Sequence, residues 1–246
     1  MEIIKKILLA IIQGITEPLP ISSSGHVVLF EDILGMHLPG FGFELFINFG
    51  SLLGIVVFFW KDLFGIVNTI HKKDTWSYLI KVPFAVIPAG IIGFFYADFF
   101  EQFKSSFYVG VFLLFTGVVL LIPKIFKGNR DDVTFTDSIQ VGVAQVLALL
   151  PGISRSGMTT VAGMSKGLTK ERAFSFSFLV FLPLSFASGV YSLFIIESLS
   201  WEYSIYFFVA AVMTYLGLIL FKRVLMSDKL HYFSIYCFIL GIIILV

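Results

Sequence analysis

The chain has 246 residues, of which 58% are hydrophobic and 13% charged, with a formal net charge of +1 and a single cysteine. Soluble domains carry about 25% charged residues, so this composition excludes an ordinary soluble domain and indicates an integral membrane protein. The near-neutral charge points to no nucleic-acid partner, and one cysteine excludes an intramolecular disulfide and a thiolate metal cluster.

The chain opens with an apolar stretch over residues 1–12 that superficially resembles a signal peptide. No small-residue cleavage site follows it, so we expect the stretch to be retained. Residues 3–34 then form an apolar segment too long for one span of roughly 17–25 residues. Pro18 and Pro20 interrupt it, because the residue before a proline disfavours the α region. This pattern predicts a re-entrant hairpin of two half-helices that enters and leaves the membrane on one side.

Polar residues cluster at this interruption. Gln13 and Glu17 are four positions apart and share a helix face. The serines that follow are good N-cap residues for the second half-helix, and His26 falls in its first turn. Non-helical backbone at membrane depth is tolerated only where protein or a water-filled cavity surrounds it, so the tip of this hairpin is a candidate site. The site residues predicted here are Gln13, Glu17, Ser22, Ser23, Ser24, Gly25 and His26.

Six apolar runs further along the chain are long enough to predict membrane spans. A second polar-interrupted segment, about 136–165, lies between the third and fourth of them and predicts a second re-entrant hairpin. The six spans cover about 45–60, 79–97, 107–123, 173–196, 203–221 and 232–246.

The second hairpin is interrupted at Pro151 and Gly152. The half-helix that follows opens with hydroxyl residues around a single arginine, and a threonine lies one turn further on. The site residues predicted here are Ser154, Arg155, Ser156, Gly157 and Thr159.

The two interrupted segments match each other 132 positions apart, so that Gln13 pairs with Gln145 and Ser22 with Ser154. Paired interruptions of this kind, in the two halves of a membrane protein, indicate a buried site between repeats. We therefore predict an all-α integral membrane protein with two inverted-topology repeats, each a re-entrant helical hairpin plus three transmembrane helices. The single membrane domain spans residues 1–246, with repeat one at about 1–128 and repeat two at about 129–246.

Basic residues segregate strongly under this layout. Thirteen Lys and Arg residues fall on one side and three (Lys5, Lys6 and Lys104) on the other, which the positive-inside rule assigns to the cytoplasm and the outside. Both termini are then predicted outside, in a multi-pass protein of the cell membrane. The thirteen are Lys61, Lys72, Lys73, Lys81, Lys124, Lys127, Arg130, Lys166, Lys170, Arg172, Lys222, Arg223 and Lys229.

Two half-helix N-termini meeting between the hairpins predict an anion site, because each presents unsatisfied N–H groups and a partial positive charge. Arg155 adds a fork of donors suited to phosphate oxygens. A charged Arg at helix-centre depth costs about 2.5–3.5 kcal/mol, so an anion is expected to offset it. The alternative is a purely structural ion pair between Arg155 and Glu17.

A carboxylate beside a phosphate site repels the ligand unless a divalent cation, Mg²⁺ or Ca²⁺, bridges them. Glu17 is then a metal ligand or an orienter of His26, and Gln13 a second ligand. Ser23 is the best-placed nucleophile, one turn before His26 as acid/base. Direct attack by water in place of Ser23 stays open.

Residues 13–26 (QGITEPLPISSSGH) together with residues 150–159 (LPGISRSGMT) resemble the two signature motifs of the undecaprenyl-diphosphate phosphatases, the bacitracin-resistance family of membrane proteins. The resemblance covers essentially the whole chain. It implies release of phosphate from a polyprenyl diphosphate to give the carrier lipid of cell-wall synthesis, a divalent cation requirement, and an inverted-repeat fold. It also implies that Glu17, Ser23, His26 and Arg155 are the essential residues.

Many members of that family have Glu where this chain has Gln13, which leaves one fewer negative charge at the site. The predicted partners are the polyprenyl diphosphate and membrane lipid, and a homodimer is one option for the assembly. The site is expected to open to the outer face, as in the family. The rival hypothesis is an inverted-repeat transporter or lipid flippase for an anionic substrate, since broken helices at mid-membrane are typical of transporters.

Overall fold

A computed structural model describes residues 2–36, 42–124, 128–196 and 200–246. The regular secondary structure of these residues is helical, with a 3₁₀ turn at Ile122–Lys124 and an isolated bridge between Arg130 and Leu168. The helices are α1 (Glu2–Thr16), α2 (Ser23–Leu34), α3 (Gly42–Phe58), α4 (Trp60–Asn68), α5 (Lys73–Leu79), α6 (Val82–Phe95), α7 (Ala97–Glu101), α8 (Ser106–Val119), α9 (Phe135–Leu147), α10 (Arg155–Ser165), α11 (Lys170–Ile195), α12 (Glu202–Met226) and α13 (His231–Leu245).

Three helical stretches of the described chain are long and apolar enough to cross a membrane: Lys73–Phe95, α11 and α12. Helices α3 and α4 supply a fourth if they are taken as one span, bent by 69° at Phe59. The protein is therefore all-helical and multi-pass, as the composition predicts.

The other two predicted spans coincide with shorter helices. Helices α8 and α13 have 14 and 15 residues. At 1.5 Å per residue they measure only about 21 and 23 Å, against a hydrocarbon core of roughly 30 Å. The helices lie where the hydropathy pattern places them, but six complete crossings stay a prediction.

Both predicted interruptions are present. The first broken segment consists of α1 and α2 separated by non-helical residues 17–22, and the second of α9 and α10 separated by 148–154. In the second break, Gly152 has φ of 102°, a conformation that L side chains rarely adopt. A Cβ there would also lie 2.7 Å from the Val109 carbonyl oxygen, so the turn requires glycine.

Each broken segment packs against a long helix from the other half of the chain. Helix α1 packs on α12, and α9 packs on α6. Helix α3 lies against both α11 and α12, while α8 lies against α13. Most polar residues at the two breaks are buried, whereas Ser23, Ser24 and Arg155 are partly exposed.

Candidate active site

The first break ends at Ser22, which is the N-cap of α2. Its Oγ accepts hydrogen bonds from the backbone N–H of Gly25 at 3.3 Å and of Gly152 at 3.0 Å. Of the three serines predicted as caps, Ser22 takes this position. Ser23 begins the helix, and Ser24 Oγ lies 3.3 Å from Ser22 Oγ.

The second break is organised in the same way. Ser154 is the N-cap of α10, and its Oγ accepts from the N–H of Gly157 at 3.2 Å. Ser156 Oγ donates to the carbonyl of Leu19 at 3.0 Å, and Ser154 Oγ lies 3.5 Å from the same oxygen. The hydroxyls of each break therefore bond the backbone of the other.

Two glycines make this close approach possible. A Cβ added to Gly25 would lie 3.2 Å from Gly152 Cα, and one added to Gly157 would lie 3.1 Å from Pro20 Cβ. The predicted meeting of the two tips, and with it of the N-termini of α2 and α10, is confirmed.

The carboxylate of Glu17 is the centre of the polar contacts. One oxygen accepts a hydrogen bond from the Arg155 guanidinium. The other accepts from Gln13 Nε2 at 2.7 Å and from the Ser23 hydroxyl. The side chain of Glu17 is only 3% exposed, so these donors replace the water that an ionised carboxylate needs.

Arg155 is held on two sides. It forms the ion pair with Glu17 that the sequence raised as an alternative, and its Cζ lies 3.5 Å from the centroid of the Phe181 ring. A guanidinium over an aromatic face is further stabilised by the ring quadrupole. The ion pair is thus present, and it lies where the two helix N-termini meet.

His26 has other partners than the sequence suggests. Its Nδ1 lies 2.7 Å from the Ser22 carbonyl oxygen and its Nε2 lies 2.7 Å from the Tyr236 hydroxyl. The Ser23 hydroxyl donates to Glu17 and not to His26, and an acid/base role of His26 toward Ser23 stays a prediction. The two side chains leave α2 toward different partners.

Thr159 lies one helical turn after Arg155 on α10. Its Oγ1 donates to the Arg155 carbonyl at 2.8 Å and lies 2.5 Å from Ser177 Oγ of α11. Next to them is a cavity of about 10 Å³, room for one water molecule. It is lined by Glu17, Arg155, Ser156, Thr159, Ser177, Phe178 and Phe181.

Sequence reasoning missed three polar residues of this region: Thr116, Ser177 and Tyr236. Thr116 Oγ1 donates to the Gly152 carbonyl at 2.9 Å and accepts from the Ser154 N–H at 3.2 Å. Its signal would have been a lone hydroxyl inside an apolar run. Nothing in the sequence separates Tyr236 from the other tyrosines, since only the packing of α13 brings it to His26.

The predicted divalent cation would find few protein ligands here, so that oxygens of a bound diphosphate would have to supply most of its coordination. Among the described residues there is no group of three or more His, Cys, Asp and Glu side chains that could hold a metal by themselves. Mg²⁺ is commonly bound through one or two carboxylates plus substrate phosphates. Glu17 supplies one carboxylate, and the carbonyl of Gln13 could supply a neutral ligand only if it faced the ion, since its amide nitrogen now faces Glu17.

Two capped helix N-termini, a partly buried arginine and several hydroxyls therefore lie together among the apolar helices of a multi-pass membrane protein. A family model described as bacitracin resistance protein BacA matches residues 6–243, and the chain belongs to this family.

Curated relatives match over nearly the whole chain. Undecaprenyl-diphosphatase 3 of Bacillus anthracis is 38% identical, over 99% of this chain and 97% of that protein. Undecaprenyl-diphosphatase of Methanococcus vannielii is 37% identical, over 98% of both chains. Undecaprenyl-diphosphatase 1 of Shouchella clausii is 34% identical, over 100% of this chain and 96% of that protein.

Proposed function

We propose that the protein is an integral membrane phosphatase that hydrolyses undecaprenyl diphosphate to the monophosphate and inorganic phosphate. Family membership and the names of the full-length relatives support this activity. The observation in the molecule that carries the proposal is Ser23, a hydroxyl bonded to a buried carboxylate between two helix N-termini.

When the diphosphate binds, Arg155 would give up its contact with Glu17 and bind phosphate oxygens instead. The cavity beside Arg155 holds about 10 Å³, too little for a phosphoryl group, and in this proposal Arg155 turns from Glu17 toward the ligand as the diphosphate enters. The N–H groups at the starts of α2 and α10 and the hydroxyls of Ser154 and Ser156 would supply further donors. The isoprenoid tail would stay in the bilayer and contribute about 0.8 kcal/mol per buried CH₂.

In the chemical step, Ser23 Oγ would attack the terminal phosphorus. The hydroxyl proton passes to Glu17, the acceptor that it already contacts, while the bond from phosphorus to the bridging oxygen breaks and the lipid monophosphate leaves. Water then cleaves the phosphoserine and releases phosphate. If water attacks directly, Glu17 takes the proton from that water and Ser23 orients it.

Arg155 and the helix N-termini act on charge that develops during this step. They lie in a site from which water is largely excluded, where fixed donors stabilise the transferring phosphoryl group more than they would in water. Removal of one such donor from comparable sites costs about 2.7–4 kcal/mol in the barrier.

We also propose that Glu17 holds a divalent cation, Mg²⁺ or Ca²⁺, together with oxygens of the diphosphate, and that Gln13 turns its carbonyl toward the ion. When bound, the cation would neutralise the repulsion between Glu17 and the phosphates.

We also propose the inverted repeat, because equivalent positions in the two halves of the chain make equivalent contacts with each other. Positions 20 and 25 correspond to 152 and 157 in the 132-residue offset, and Gly25 packs on Gly152 while Gly157 packs on Pro20. Likewise α1 packs on α12 as α9 packs on α6. With the bias of basic residues, this arrangement supports termini on the outside and a site that opens to the outer face.

A transporter or flippase would use the same broken helices and anion donors. It has no need of a hydroxyl aligned on a buried carboxylate, and the contact between Ser23 and Glu17 therefore favours the enzyme.

The deciding experiment is phosphate release from undecaprenyl or farnesyl diphosphate by the purified protein, with Mg²⁺ or Ca²⁺ and with a chelator. We expect cation-dependent release that is lost in Arg155→Ala and retained in the control Arg223→Ala, whose side chain lies at the exposed end of α12. Absence of release from the wild-type protein, with transport of the lipid across vesicles, would establish the rival function.

A further inference from the structure

His26 is held through both ring nitrogens, by one partner from each half of the chain. Nδ1 lies 2.7 Å from the carbonyl oxygen of Ser22 on the preceding turn. Nε2 lies 2.7 Å from the hydroxyl of Tyr236 on α13. The two rings are nearly parallel, with an interplanar angle of 10° and a centroid separation of 5.7 Å.

These contacts determine which nitrogen carries the proton. A carbonyl oxygen only accepts, so Nδ1 must be the N–H that donates to Ser22. In the neutral ring Nε2 is then the acceptor, and the Tyr236 hydroxyl must donate to it. The hydroxyl of Tyr236 thereby fixes the direction in which the lone pair on His26 Nε2 points.

His26 and Tyr236 differ in how far they are exposed at the surface of the protein. His26 is 3% exposed, whereas Tyr236 is 41% exposed. Tyr236 therefore lies between the buried imidazole and the surface of the protein. Any group that donates a hydrogen bond or a proton to Nε2 must first replace the Tyr236 hydroxyl or approach beside it.

We propose that Tyr236 is a positioning residue for the phosphatase reaction: the Ser22 carbonyl sets the tautomer of His26, and the Tyr236 hydroxyl, by donating to Nε2, holds the ring plane so that Nε2 is kept as an acceptor until substrate replaces that hydroxyl. This inference rests on the proposed function for its catalytic meaning, but the hydrogen bond itself can be tested without turnover. It assigns a role to α13, the last helix of the chain, which carries none of the residues that the sequence motifs identify.

The spectroscopic test uses protein with ¹⁵N in the histidine rings, of which the chain has four. The signals of His26 are identified as those that disappear from the spectrum of the His26→Gln variant. In the wild type we expect a protonated Nδ1 and an Nε2 resonance shifted by an accepted hydrogen bond. In Tyr236→Phe we expect Nε2 to move toward the value of a free acceptor. An unchanged His26 spectrum would overturn the proposal.

The kinetic test compares Tyr236→Phe with Tyr232→Phe, its match one turn earlier on α13, which is 56% exposed. We expect kcat to fall by roughly five- to tenfold in the first, the effect of one lost hydrogen bond, and to stay unchanged in the second. Replacing Tyr236 by 3-fluorotyrosine keeps the ring nearly isosteric while making the hydroxyl more acidic, so it controls for packing.

If kcat changes with the fluorine substitution, the hydroxyl acts through its hydrogen bond. The proposal fails if the 3-fluorotyrosine protein has the wild-type kcat and if Tyr236→Phe lowers kcat without altering the His26 spectrum. In that case Tyr236 contributes packing alone. If the wild type releases no phosphate, the proposed function fails, and the spectra still decide whether Tyr236 sets the state of His26.

Discussion

The hydroxyl of Ser22 accepts a hydrogen bond from the backbone N–H of Gly152 at 3.0 Å, across 130 residues of sequence. The same oxygen caps α2 through the N–H of Gly25. One side chain therefore satisfies a donor in each of the two breaks, and this contact joins the two halves of the chain at the point where the site is built.

Replacing Ser22 by Ala should destabilise the fold. Ser22 is 3% exposed, so its loss leaves two buried N–H groups without an acceptor, at a cost of about 1–3 kcal/mol. The backbone at this position has a φ of 68°, which is strained for serine and alanine alike. The substitution therefore tests the loss of the hydroxyl and not a change in backbone strain. Denaturant unfolding in detergent measures the effect.

The control is Ser227→Ala, whose hydroxyl bonds the exposed carbonyl of Arg223 at 2.7 Å. Equal stability of the Ser22 and Ser227 variants would show that the bridge between the breaks contributes nothing to the fold.

Replacing Ser23 by Ala should abolish most of the activity while leaving the fold intact. Its hydroxyl is the group that donates to Glu17, so the nucleophile or the orienter of water is lost. We expect phosphate release to fall by at least about 100-fold. Ser24→Ala is the matched comparison, because Ser24 Oγ contacts Ser22 Oγ and not Glu17.

A phosphoserine trapped at residue 23 by rapid acid quench, and seen by mass spectrometry, would establish covalent catalysis. A Ser23→Ala variant with wild-type turnover would remove that residue from the mechanism.

Replacing Gln13 by Glu should strengthen cation binding. The substitution places a second carboxylate beside Glu17, whose oxygen lies 2.7 Å from Gln13 Nε2. Two carboxylates bind Mg²⁺ better than one, and without the ion they repel each other. We expect half-maximal activity at a lower Mg²⁺ concentration and a larger loss of activity on adding chelator. An unchanged Mg²⁺ dependence would place the cation elsewhere.

The entry to the second broken segment should make stability depend on pH. Arg130 binds both oxygens of Asp137 at 2.8 and 2.9 Å, and Thr134 completes a capping box with the same carboxyl. Burial acts to raise the pKa of Asp137, but the hydrogen bonds from Arg130 and Thr134 outweigh it and hold the pKa below its ordinary value.

A lowered folded-state pKa means that the unfolded chain binds the proton more readily. The stability that Asp137 contributes is therefore present at neutral pH, above the unfolded value of about 3.9, and is lost as pH falls through the folded pKa. Unfolding measured from pH 7 down to pH 3 should show this loss, and Asp137→Asn should flatten it. A variant with the wild-type pH profile would assign the acid sensitivity to other groups.

Much of the site follows from local chemistry. Pro18, Pro20 and the Pro151–Gly152 pair disfavour the helical backbone locally, and serine caps the helix that restarts, so both breaks and both N-termini could be predicted. Glu17 and Arg155 stood out because charged residues are costly in apolar surroundings. The partners of Ser23 and His26 could not be predicted, since spacing along α2 does not say toward which neighbouring helix each side chain turns.

By itself the sequence determined that the protein is a helical membrane protein, where its helices break, and which polar residues lie at the breaks, because composition, hydropathy and capping act over a few residues. The tertiary structure alone decided that Glu17 binds Ser23 and Arg155 at the same time, and that Tyr236 reaches His26. The physical reason is that hydrogen bonds between helices depend on distances and angles set by the packing of helices far apart in the chain, to which no local pattern is sensitive.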